Sequence, residues 1–202
     1  MLLAYNGVHL GSSLGLPPPA SVLLADVLQL AWLIFTLTTR VLTPHQLSSR
    51  DIVTFQLSAG TLLRAVVAAL LGLASSGLVA VLSNGHAANT AAFLGLLEGQ
   101  GVAGSMALCA AAVLVGPAHE EILYRGFLLP SLTKHTGSVH GGILLSSLAF
   151  AAFHLSPADF PSLLVLGVVL GYSASAGPRG SVSLTIPVVA HSLYNTAVLF
   201  FH

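Results

Sequence analysis

Apolar stretches long enough to cross a bilayer recur along this chain, with only short polar breaks between them. A helix needs about 20 mostly apolar residues to span the hydrocarbon core. Candidates cover residues 20–37, after the breaker Pro17-Pro18-Pro19, and 61–82. Others cover 101–115, 118–129, 141–155, 160–174 and 182–201. Gly116-Pro117 is expected to end the third, and the fourth alone reaches only ~18 Å at 1.5 Å per residue. It spans only if it continues, kinked, past Pro130. Charged residues are 6% of the 202, against about a quarter in a soluble domain, so a water-facing surface cannot be covered. The expected fold class is all-α, a polytopic transmembrane bundle of about six to seven helices.

Abundant Gly, Ala and Ser suit close helix packing in lipid, where no hydrophobic force drives helices together. We read one integrated membrane domain, with N-terminal helices and loops over 1–100 and a core over 101–202. The segment 43–55 carries His45, Arg50 and Asp51 and reads as a polar connection; 93–98 reads as a weakly amphipathic piece. Six Lys plus Arg balance six Asp plus Glu, so no basic patch for nucleic acid exists. Cys109 stands alone and reads as a small buried hydrophobe, with no disulfide framework. Residues 1–14 lack a basic n-region, so a signal peptide is not expected. Arg40, Arg50 and Arg64 on one side against Lys134 and Arg179 on the other leave orientation undecided.

Ionisable groups inside a membrane span are costly and ask for a reason. Asp26 in the first span must face protein, water or the interface, and Arg64 in the second lies near enough to an end to snorkel. The remainder gather: Glu120, Glu121 and Arg125 in the fourth span, His154 ending the fifth, His191 and Asn195 in the seventh. Glu121 and Arg125 are four apart with the acid first, the favourable order for a helical ion pair. Glu120 points about 100° away. It reads either as a functional carboxylate or as an acid placed at a helix N-terminus behind Pro117. His191 and Asn195 share a helical face. His119-Glu120-Glu121 resembles the start of the zinc motif H-E-x-x-H, but position 123 is Leu and the motif fails. A metal held by Glu120, His154 and His191 stays chemically possible, since two His and one Glu form a known zinc set. In that case Asp159 is the nearest candidate to orient a ligand. His9, His45, His86, His135, His140 and His202 read as solvated.

Such a set suits peptide hydrolysis. A carboxylate can activate water, two N–H donors can hold an oxyanion, and His154 can orient the water or carry a proton to the leaving amine. The motifs then carry a resemblance. Glu120-Glu121-Ile-Leu-Tyr-Arg125 fits E-E-x-x-x-R, Phe150-Ala-Ala-Phe-His154 fits F-x-x-x-H, and His191-Ser-Leu-Tyr-Asn195 fits H-x-x-x-N. In this order, on successive apolar segments, they resemble the CPBP family of intramembrane proteases (CAAX proteases and bacteriocin-processing enzymes, also called Abi). The similarity covers about residues 101–202.

The resemblance implies a helical bundle with an intramembrane polar cavity open to one side. It implies that Glu120 activates water with His154, that His191 and Asn195 stabilise the oxyanion, and that Glu121 and Arg125 support the site. It implies a membrane-associated protein or peptide substrate and no cofactor, with zinc as the alternative. Two other functions fit the same residues: a non-proteolytic membrane scaffold keeping the fold, and a transporter using Asp26 and the glutamates as a proton path. The second lacks the expected inverted repeats.

Overall fold

The structure, a computed structural model, describes residues 15–46, 53–82, 88–175 and 182–200. The expectations placed on residues 1–14, Arg50, Asp51, His86, Arg179 and His202 fall outside them. Among the described residues the chain forms α1 (Pro18–Leu42), α2 (Ala59–Leu82), α3 (Ala88–Leu97) and α4 (Val102–Thr136), followed by α5 (Val139–Phe153), α6 (Phe160–Ala174) and α7 (Thr185–Phe200). The bundle is all-α, as expected. α1, α2 and α4 are each long and apolar enough to cross a membrane, and α5, α6 and α7 are shorter apolar helices. Large apolar side chains such as Trp32, Phe35, Leu63, Leu70 and Leu78 are exposed on the outer faces of α1 and α2. In lipid that is the favourable arrangement, because the hydrocarbon that these faces would meet is itself apolar.

The expected break at Gly116-Pro117 is not there. α4 runs through both Pro117 and Pro130, and the reason is repeated three times along the chain. π-helical turns occupy Thr38–Leu42, Ala111–Val115 and Ile122–Leu128. Each is closed by a residue donating five positions back: Thr43 to Thr38, Gly116 to Ala111, and Leu129 to Tyr124. In each case the very next residue is a proline, Pro44, Pro117 or Pro130. A proline brings no N–H and its ring clashes with the carbonyl four residues back. A wider π turn moves that carbonyl aside; α4 continues past Pro117 and Pro130, whereas α1 ends at Leu42, just before Pro44. α4 finally stops at Gly137, whose φ of +68° suits a residue without a Cβ.

Small residues bring the helices together. α2 turns Ala65, Ala68, Ala69, Gly72 and Ser76 inward, and these pack with Phe150 of α5, Leu166 and Leu170 of α6 and Ala190 of α7. α6 approaches α5 most closely at Gly167 and Gly171. A Cβ at Gly167 would lie 3.0 Å from the Ser147 Cβ, and one at Gly171 would lie 2.8 Å from the Ile143 Cγ2. Ser76 ties three helices at once: its hydroxyl is 3.1 Å from that of Tyr194, and its carbonyl accepts from Ser162 at 3.1 Å.

The polar connection contains a feature the sequence reading missed. Val53–Thr54 (β1) pairs in parallel with Val182–Ser183 (β2), so the last helix starts at Thr185 rather than Val182. Leu184 N–H donates to the Thr54 carbonyl at 3.1 Å and Gln56 N–H to the Thr185 hydroxyl at 2.8 Å. The entry of α7, which carries His191 and Asn195, is thereby fastened to the chain before α2.

Candidate active site

The two adjacent glutamates of α4 diverge. Glu121 and Arg125 are both fully buried and meet at 3.2 Å. The other arm of the guanidinium donates to the Gly167 carbonyl of α6 at 3.0 Å. Glu120, about 100° further round the helix, faces a cavity of about 850 Å3 that His154, His191 and Asn195 also line. Its Oε2 is buried without a hydrogen-bond partner from the protein. Since α4 is continuous, Glu120 does not sit at a helix N-terminus, and the dipole reading of it falls.

His191 stands between the glutamates. Its Nδ1 is 2.9 Å from Glu121 Oε1, and its Nε2 is 3.9 Å from Glu120 Oε2. Glu121 Oε1 also accepts from Arg125, so it is a carboxylate oxygen and Nδ1 must be the donor. The Nε2 then carries a lone pair in the neutral ring and a second N–H in the imidazolium. One oxygen atom can lie within hydrogen-bond distance of both Nε2 and Glu120 Oε2.

His154 caps the end of α5. Its Nδ1 donates to the Phe150 carbonyl at 2.8 Å, because a carbonyl can only accept, and this leaves Nε2 as the acceptor of the neutral ring. The residue that follows, Leu155, has a φ of +52°, a left-handed conformation that ends the helix immediately after the histidine. Phe150 is the shared support. Its ring lies 4.7 Å from that of His154, 5.8 Å from that of His191 and 5.4 Å from that of Tyr124, with the Arg125 guanidinium 4.8 Å from its centre.

Asn195 has a partner that nothing in its own helix suggests. Its side-chain nitrogen donates to the Ala112 carbonyl at 2.8 Å. A primary amide carries two hydrogens, so a second N–H remains for another acceptor. The sequence reading gave Asn195 no task other than the oxyanion, and the structure gives it this one as well.

Several lining residues were not singled out as part of the site. Asp26 of α1 and His119 of α4 line the same cavity and lie within electrostatic reach of Glu120. Tyr194 lines it from α7, and Val22, Leu73, Phe93, Leu96 and Val198 contribute apolar wall. Phe150, which the F-x-x-x-H motif already contains, supports His154 and His191 without lining the cavity. For Asp26 the cost of a carboxylate in an apolar helix was the signal. His45, His135 and His140 are exposed as expected, His140 with its Nδ1 2.8 Å from the Tyr172 hydroxyl. Asp159 is hydrogen-bonded by the Ser156 hydroxyl at 2.8 Å. Among the described residues no three His, Cys, Asp or Glu side chains form a group able to hold a metal ion.

Residues 102–197, the stretch that carries all of these motif residues, match the family model for type II CAAX prenyl endopeptidase Rce1-like proteins. Over that segment, a little under half of the chain, the protein is similar to this family. No curated protein and no solved structure matches the chain. The Rce1-like family is one of membrane endopeptidases within the CPBP group, and the chain is a multi-pass integral membrane protein. The Rce1-like segment opens at the start of α4 and takes in α5, α6 and most of α7. Helices α1, α2 and α3 lie outside the match, yet Asp26, Leu73 and Phe93 complete the wall of the cavity that the Rce1-like segment shapes.

Proposed function

We propose that the chain is a glutamate-dependent intramembrane endopeptidase cutting a CAAX-type, membrane-associated protein or peptide. Glu120 takes a proton from water as the hydroxide attacks the scissile carbonyl, with His154 Nε2 orienting that water. The oxyanion accepts from Asn195 and from the imidazolium form of His191, and the proton returns to the leaving amine from Glu120 or His154. Glu121 and Arg125 support the site by holding His191. In this reading the protein itself supplies the base and no metal is required.

The single observation that carries the proposal is the convergence of Glu120, His154, His191 and Asn195 from three helices on one cavity. The Glu120 oxygen that would act is buried and unpartnered there. The apolar remainder of the wall suits the lipid-proximal part of a membrane-bound substrate. The test uses purified protein in detergent and a farnesylated peptide ending in a CAAX box. Cleavage by the wild type with none by Glu120→Gln supports the reading. Equal cleavage by both overturns the assignment of the base, and a folded wild type that cuts neither this peptide nor other membrane-protein substrates makes the chain a scaffold.

A further inference from the structure

We propose that Pro117 is a positioning residue for Asn195, acting through the Ala112 carbonyl, which the proline and the π turn before it leave without a backbone donor. In an α-helix the Ala112 carbonyl would accept from the N–H of residue 116. Here the Gly116 N–H goes to Ala111 instead, as the closing bond of a π turn. The next donor in the π pattern would be residue 117, and a proline has none. The Ala112 carbonyl is therefore orphaned by the sequence of its own helix. An unpaired backbone carbonyl inside a membrane protein is costly, so a donor is drawn from elsewhere. It comes from Asn195, 83 residues away on α7, at 2.8 Å.

The consequence is orientation. Because a carbonyl only accepts, the bond fixes which end of the Asn195 amide faces α4, and it holds the plane of the group. The second N–H is then held toward the cavity that Glu120 and His154 line. Gly116 is part of the device, since a Cβ there would lie 3.0 Å from the Ala111 oxygen that its own N–H must reach. Replacing Pro117 by Ala restores an N–H that can satisfy Ala112 within the helix, and the Asn195 amide is released to turn.

This inference rests on the oxyanion role proposed for Asn195, and a double-mutant cycle separates the two. Wild type, Pro117→Ala, Asn195→Ala and the double variant are assayed as full chains in detergent on the farnesylated CAAX peptide. Asn195→Ala should lose about 10²–10³ in kcat with KM kept. Pro117→Ala should lose about 10-fold to 10² in kcat, again with KM kept, as a misplaced catalytic group does. The double variant should be no slower than Asn195→Ala alone, because the two act through one bond. Multiplied losses, or a Pro117→Ala kcat equal to wild type, overturn the positioning role while leaving the oxyanion role standing. A fully active Asn195→Ala variant overturns both. A readout independent of cleavage uses protein labelled with 15N in asparagine side chains, the Asn195 signal being the one that Asn195→Ala removes. In the wild type one Asn195 amide hydrogen should be protected from exchange, and Pro117→Ala should abolish that protection. Protection that survives Pro117→Ala overturns the proposal whatever the activity.

Discussion

His191 Nδ1 and Arg125 reach the same oxygen of Glu121, at 2.9 and 3.2 Å. The arginine thus holds the carboxylate that holds the histidine. Removing Arg125 leaves a buried carboxylate without its cation, a loss of about 3–5 kcal/mol. Arg125→Ala should therefore melt well below wild type in detergent and lose activity mainly through poor folding. Arg125→Lys should not rescue it, since a single ammonium cannot reach Glu121 and the Gly167 carbonyl with the geometry of a fork. A melting temperature equal to wild type for Arg125→Ala would remove the structural reading of the pair.

Glu120 is the opposite case. Its Oε2 has no hydrogen-bond donor to lose and the nearest cationic group, His191 Nε2, stands 3.9 Å away, so Glu120→Gln should change the chemistry while leaving the packing in place. Cleavage should fall by about 10²-fold or more, with the thermal melt unchanged. A large drop in melting temperature would show that Glu120 is structural.

The close approach of α6 to α5 should be sensitive to a single methyl group. In Gly167→Ala the new Cβ meets Ser147 Cβ at 3.0 Å, Ser147 Cα at 3.2 Å and Phe150 Cδ1 at 3.3 Å. Two of these atoms cannot rotate away, so the helices must separate, at a cost of about 1–3 kcal/mol. The Gly167 carbonyl would retreat from Arg125 with them. Adding Ser147→Gly should restore both stability and kcat, and measured melts and rates for the single and double variants test this. A Gly167→Ala protein as stable as wild type would mean that the α5–α6 spacing is adjustable.

The fate of each polar residue depended on how local its partner is. Glu121 and Arg125 are legible because an ion pair four residues apart needs only a helix. The divergence of Glu120 from Glu121 follows from 100° per residue, and Phe150 beneath His154 follows from one turn. The continuity of α4 was not legible, because a proline more often ends a helix than rides on a π turn, and nothing in Ala111–Val115 spells a π turn. Asn195 shows the same limit more sharply. Its helical face was readable, yet its partner is a carbonyl made needy by a proline on another helix. Asp26 announced itself by cost alone, and only the packing of α1 against α4 places it beside Glu120. The β1–β2 pair escaped because two residues per strand leave no period to read.

Metal dependence separates the two mechanisms that share Glu120, His154 and His191. If these three bind zinc, the ion activates the water and Asn195 has no chemical role. If Glu120 is the base, its Oε2 must meet the attacking water, and no protein donor competes for that buried oxygen. The second N–H of Asn195 then matters directly. We expect chelators to leave kcat unchanged and elemental analysis of active protein to give no stoichiometric zinc, while Asn195→Ala is nearly inactive with KM kept. Stoichiometric zinc together with an active Asn195→Ala variant would reassign Glu120 from base to ligand and make the enzyme a metalloprotease.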